Sequence, residues 1–221
     1  MQSEVHRLKQ LQEDECWKVF EKHASKDNNL KMNDKLKEIG RRIVKKCKGL
    51  PLALKTIGCM LSKKSSISDW QSILESNTWD LPKEDNAIIP ALFLSYHYLL
   101  SHLKRCFAYC ALFPKDYVFV KGELISLWMA ENFIRCPQQI KHPKEVGEQY
   151  FNDLLSRSFF QQSNIERHFV TWHESSVKRH FVMHDLLNDL AKYVCGDFCF
   201  RLKFDKGNCI PKTTRLFICS P

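Results

Sequence analysis

The residues best suited to chemistry stand near the C-terminal end, in FVMHDLLNDLAKYV (Phe181 to Val194), where a histidine and an aspartate open an amphipathic pattern. His184 and Asp185 admit four readings: a catalytic pair, a metal site, a ligand sensor, or the polar start of a packed helix. Adjacent helical residues point about 100° apart, so Asp185 cannot orient the His184 imidazole as a triad carboxylate does. No GxSxG or comparable nucleophile setting occurs either. A metal held by His180 and His184 needs both on one helix face, and His180 falls in a presumed strand. The first turn of a helix offers free backbone N–H groups and a positive dipole end, so His184 is placed where a phosphate could be sensed. Asp185 would favour the helix start through the same N–H groups, and a structural role for it stands beside the functional one.

Other chemistries leave weaker traces. None of the seven glycines is followed by lysine, so the chain lacks the usual loop for holding a triphosphate. Ten cysteines include Cys106/Cys110 and Cys195/Cys199 at helical i,i+4 spacing, with no CxxC or HExxH. With no export signal in sight, they are expected to be reduced thiols, mostly in the core, and no metal site is expected. Lys45, Lys46 and Lys48 would suit nucleic acid, but lysines near a helix C-terminus also complement its dipole.

The elements that would position these residues read as helices almost throughout, and no repeat emerges. Four are expected first: Glu13 to Ala24, Asn33 to Cys47, Leu52 to Ser62 and Ser68 to Asn77. Asn33 and Ser68 are read as N-caps, the latter with Gln71 as a capping box. In KKCKGLPLALKTIG, Gly49 suits a left-handed C-cap and Pro51 the first position of the next helix, which makes a sharp corner. LPKEDN (Leu81 to Asn86) is polar and turn-forming and is read as a domain boundary.

The second half opens with a helix pair, IIPALFLSYHYL and SHLKRCFAYCALF, with Ser101 as a cap and Pro114 ending it in the turn FPKDY. In GELISLWMAENFI, residues Ile125, Trp128, Met129 and Phe133 share one face. HPKEVGEQYFNDLLSRS gives a further helix, and the aromatic, β-branched stretch SFFQQSNIERHFVTWHESSVKRHFV reads as a hairpin or wing containing two copies of RHFV (167–170 and 179–182). In the last helix Met183, Leu187, Leu190, Ala191 and Val194 line one side, with Asp185, Asn188, Asp189 and Lys192 on the other. The predicted fold class is mainly α: a four-helix bundle (1–85), a winged-helix domain with a small β-hairpin (86–196), and a linker (197–221).

Composition sets outer bounds. A 221-residue chain that is 44% hydrophobic and 12% aromatic can bury a real core. Its +9 charge is mixed along the sequence, which permits an anionic partner without demanding one. No apolar run approaches the roughly 18 residues of a membrane span, and a soluble, cytoplasmic chain is expected, with the nucleus as an alternative.

KGLPLALKTIG, CFAYCALFPKDY and FVMHDLLNDLA, in that order, resemble the blocks of the NB-ARC nucleotide-switch module of plant NLR disease-resistance proteins of the coiled-coil class. WMAENFI and LKQLQEDECWKVFEKHA look like that family as well, so the likeness covers nearly the whole chain. It implies a middle piece: the bundle called ARC1 and the winged helix called ARC2, without the P-loop subdomain, the magnesium-binding aspartate or the leucine-rich repeats. It further implies that Pro51, beside Gly49 and Leu50, packs near the adenosine of bound ADP. His184 would approach the β-phosphate, with Asp185 holding the helix start. The residues between the RHFV copies look like an insertion relative to the family, and the end at PKTTRLFICSP suggests a truncated product.

On this likeness the chain is expected to be a non-catalytic regulatory part of an ADP/ATP-dependent switch, with the P-loop subdomain and the leucine-rich repeats as partners. A winged-helix nucleic-acid binder and a stand-alone adaptor for full-length receptors are the alternatives. Against the former, the helix before the wing carries Lys144 and Arg157 against Glu145, Glu148 and Asp153.

Overall fold

Helix α3, Pro51–Leu61, is apolar nearly all round, and a helix with that pattern needs cover on every side. The computed structural model, which describes residues 11–25, 33–81, 89–135, 142–163, 179–196, 199–203 and 216–220, supplies it from α1 (Glu13–Ala24), which lies against α3 and α2 (Asp34–Lys46). Helix α4 (Ile67–Leu74) in turn packs on α2, and a 3-10 turn (Asn77–Asp80) follows it. Phe20, Ile43, Leu54, Ile57, Leu61, Trp70 and Ile73 are buried at the centre of this first unit. The unit contains the described residues up to Leu81 together with Ile89–Ser95.

Helices α2 and α4 start at side-chain acceptors. Asn33 caps α2, its Oδ1 accepting the Leu36 N–H at 2.9 Å. Helix α4 is capped two residues earlier than expected: Ser66, not Ser68, is extended and accepts the Asp69 N–H at 3.0 Å. The difference is local chemistry, since Asp69 takes the Ser66 hydroxyl in return, while the Ser68 hydroxyl bonds to Ser66 Oγ. Ser101 is likewise the first helical residue of its helix and not the cap, because extended Leu100 precedes it.

Among the described residues the second unit begins at Tyr96, inside helix α5 (Pro90–His97). Helix α6 (Ser101–Tyr109) runs into a 3-10 turn (Cys110–Leu112) and then strand β1 (Phe119–Val120). Helix α7 (Lys121–Ala130) packs on α8 (Pro143–Ser156); strands β2 (Gln161–Ser163) and β3 (His180–Val182) follow, and then α9 (Asp185–Cys195). The sheet is antiparallel in the order β1-β3-β2, with Gln162 and Phe119 both opposite Phe181. The fold is thus mainly helical with a small three-stranded sheet, as the sequence predicts, but the hairpin has a third strand that two residues were too short to announce.

Two further expectations change. Phe133 lies beyond α7, because left-handed Asn132 (φ 57°) ends the helix and turns Phe133 onto Tyr109, ring centroids 5.8 Å apart. The stretch after 196 includes a parallel pair, β4 (Cys199–Lys203) and β5 (Leu216–Ser220), within what the sequence suggests is linker. The second RHFV copy contributes β3; the first, like most of LPKEDN, lies outside the described residues.

Close helix approaches explain two glycines. A Cβ on Gly58 of α3 would stand 3.0 Å from the Phe20 carbonyl of α1 and 2.9 Å from His23 Cβ; one on Gly147 of α8 would meet Ile125 Cγ2 at 2.5 Å. Gly58→Ala should therefore cost about 1–3 kcal/mol, read as a lower urea midpoint with an unchanged slope. In the second unit, His102 stacks on Tyr150 at 4.2 Å, and burial holds its pKa below 6.5, opposed by the Asp153 charge. The unfolded chain then binds this proton more readily than the native one, so stability should fall as pH drops through and below 6.5. His102→Phe, which keeps a stacking ring, should flatten that part of the melting-temperature profile.

Candidate functional site

Helix α9 starts where it does because His184 is extended (φ −62°, ψ 143°) and its ring caps the helix. Its Nδ1 accepts the Leu186 N–H at 3.2 Å, and its carbonyl accepts from Leu187 and Asn188. The sequence places His184 in the first turn; the structure places it one step earlier, at the N-cap, leaving Asp185 as the first helical residue. An accepting Nδ1 puts the imidazole proton on Nε2. His184 is exposed, so this chain presents an imidazole N–H donor at the start of a helix. Asp185 is exposed too and adds its negative charge to the first turn.

The same device recurs at α8, where extended His142 accepts the Lys144 N–H on Nδ1 at 3.3 Å. Imidazole caps are therefore a local habit of this unit, and capping alone does not single out His184.

Behind the cap, the helix face differs from the expected one. Met183, Leu187, Leu190 and Ala191 are buried as predicted, but so is Asn188, at 2% exposure. Its Nδ2 donates to the Phe113 carbonyl at 3.2 Å, while Oδ1 has no hydrogen-bond partner among the described residues. The polar label misled because the site it fills is a carbonyl at the end of the 3-10 turn. Beside it Lys115 Nζ donates to Asp189 Oδ2 at 2.8 Å. That bond, and then the charges of Asp189, Asp185 and Asp116, raise the Lys115 pKa.

The other sequence-predicted residues lie in the first unit. Helix α2 ends at a corner in which Lys48 (φ 50°) and Gly49 (φ 71°) are both left-handed. Leu50 is the extended N-cap of α3 and Pro51 its exposed first residue, where a missing N–H costs nothing. The corner is thus fixed by backbone geometry, with Gly49 as anticipated and Lys48 as an unexpected second left-handed residue. His184 and Asp185 are in the second unit.

Thiol and metal chemistry find little support. Cys47 and Cys106 are pushed up to about 12 by burial, and Cys110 well above the usual thiol value, so these thiols are inert. Cys195, the last residue of α9, departs from the expected reduced state: it is disulfide-bonded. No group of three or more His, Cys, Asp and Glu that could hold a metal occurs among the described residues. No described helix is long and apolar enough to cross a membrane. Helix α8, which a winged helix would offer to a DNA groove, exposes Lys144 against Glu145 and Glu148.

Residues 112–191 match the family described as the disease resistance protein winged helix domain. The chain belongs to the plant disease-resistance proteins. It is 38% identical over 203 residues to the putative disease resistance RPP13-like protein 1 of Arabidopsis thaliana, covering 92% of this chain and 18% of that protein. Disease resistance protein RGA2 of Solanum bulbocastanum is 40% identical over 186 residues, covering 84% of this chain and 18% of its own length. RPM1 of Arabidopsis thaliana is 34% identical over 194 residues, 86% of this chain and 20% of that protein. The chain thus spans about a fifth or less of these relatives.

The left-handed corner of this disease-resistance chain yields a direct test. Gly49→Ala puts a Cβ into a conformation that costs L-residues about 1–2 kcal/mol, so the first unit's unfolding midpoint in urea should drop by that equivalent.

Proposed function

We propose that this chain is the regulatory part of a nucleotide-dependent switch in a plant immune receptor, contributing ADP sensing and interdomain contacts without catalysis of its own. The observation that carries this reading is the exposed His184 at the N-cap of α9, whose bonded Nδ1 leaves Nε2–H as the outward donor. One imidazole N–H and a helix start fit the oxygens of a terminal phosphate as a sensor, and fall well short of a cradle for the whole nucleotide. Asp185 steadies that start. Pro51, with Gly49 and Leu50, forms a stiff corner suited to pack against the adenosine portion.

The energetics divide the labour. Driving a two-state equilibrium from 1:99 to 99:1 takes about 5.5 kcal/mol of differential binding. A hydrogen bond to a charged group is worth about 1.5–3 kcal/mol, so His184 supplies only part. The P-loop subdomain and leucine-rich repeats of a longer protein supply the rest, as partners of this chain in a cytoplasmic receptor. Without them ADP has little to hold it.

Isothermal titration of the isolated chain with ADP should show very weak binding or none, and a submicromolar affinity would overturn the division of labour. With the P-loop subdomain restored, His184→Asn separates the two roles of the residue. Asparagine is a strong N-cap, so α9 should keep its stability, while ADP release accelerates about tenfold or more. Unchanged release would remove the sensor.

A further inference from the structure

We infer that the stretch FPKDYVFV, Phe113–Val120, is a clamp that fixes His184 from both sides, with Asn188 as its positioning residue. The importance of the clamp rests on the sensor reading of His184; its existence does not.

His184 stands between two elements, β3 ending at Val182 and α9 beginning at Asp185. Both are tied to the same short stretch. On one flank β1 pairs with β3, Phe119 opposite Phe181 and Val120 opposite His180. On the other, the Phe113 carbonyl accepts from Asn188 Nδ2 at 3.2 Å and Lys115 holds Asp189 at 2.8 Å. Consecutive helical residues point about 100° apart, so a turn gripping both Asn188 and Asp189 wraps the helix and resists its rotation as well as its sliding.

Stability alone does not account for Asn188. It is buried with Oδ1 unpartnered among the described residues, an arrangement that a leucine of similar size would improve. Apolar burial is non-directional, however, and would let α9 settle at several heights and rotations. A hydrogen bond to one carbonyl selects a single register. A residue that breaks the local burial rule and in return defines geometry is expected beside a functional group.

The test uses the whole 221-residue chain, isotopically labelled, with amide exchange and the His184 ring resonances as readouts. Asn188→Leu should melt at or above the parent temperature. Its amides in the first turn of α9 should nevertheless exchange about tenfold faster relative to those at the helix's C-terminal end, with displaced His184 signals. Parent-like exchange and ring signals in a folded Asn188→Leu variant overturn the clamp. If that variant does not fold, the ion pair decides. Lys115→Asp should speed the same amides and the reversed pair K115D/D189K should restore them; failure to restore overturns the proposal. No nucleotide enters either measurement, so a failed clamp leaves the ADP reading standing, and a failed ADP titration leaves the clamp.

Discussion

The second unit is organised around a file of aromatic rings. Phe113 meets Phe119 at 5.1 Å between centroids, Phe119 meets Phe160 at 5.4 Å, Phe160 stacks on Phe151 at 5.1 Å, and Phe151 meets Phe181 at 4.8 Å. Each such pair adds about 0.5–1.5 kcal/mol to the burial of its rings. The file passes from the end of the 3-10 turn through β1 and α8 to β3, so three backbone segments distant in sequence are drawn to one place. Without it neither the Phe113 carbonyl nor the strand leading to His184 would stand where α9 needs it.

That arrangement shows why the site could be read in part from the sequence. The amphipathic pattern of FVMHDLLNDLAKYV announced a helix and its first turn, and the buried Leu187, Leu190 and Ala191 followed from spacing. Asn188 did not, because its burial depends on a carbonyl brought from 75 residues away, and no local pattern carries that information. Strand β1 escaped for a similar reason: two residues have no periodicity, and only pairing with β3 makes them a strand. Ser66 and Ser68 differ by which hydroxyl meets Asp69, a choice of rotamer and register that composition does not encode. The corner was legible at Gly49 and Pro51 because glycine and proline carry their backbone preferences with them, whereas left-handed Lys48 carries no such signal.

The first unit works differently. Its helices approach closely where Gly58 leaves out a side chain, and Trp17, Phe20 and Trp70 close over Gly40. Around this core the cations of α2 are used locally: Arg41 lies over Trp17, Lys46 over Trp79, and Lys45 meets Glu13 at 3.3 Å. These contacts are exposed and individually weak, yet they give the basic run a structural occupation. Arg41, Lys45 and Lys46 are thus engaged within the bundle itself, two of them over its own aromatic rings.

The bond from Asn188 to Phe113 and the ion pair from Lys115 to Asp189 close loops of 75 and 74 residues. Contacts of that sequence separation carry a larger loop-closure entropy than local ones and slow folding accordingly. During synthesis the ribosome has to release α7, α8 and the hairpin before α9 finds its seat. The histidine end of this unit therefore rests on contacts between residues far apart in the sequence, the kind that cost the most chain entropy to close.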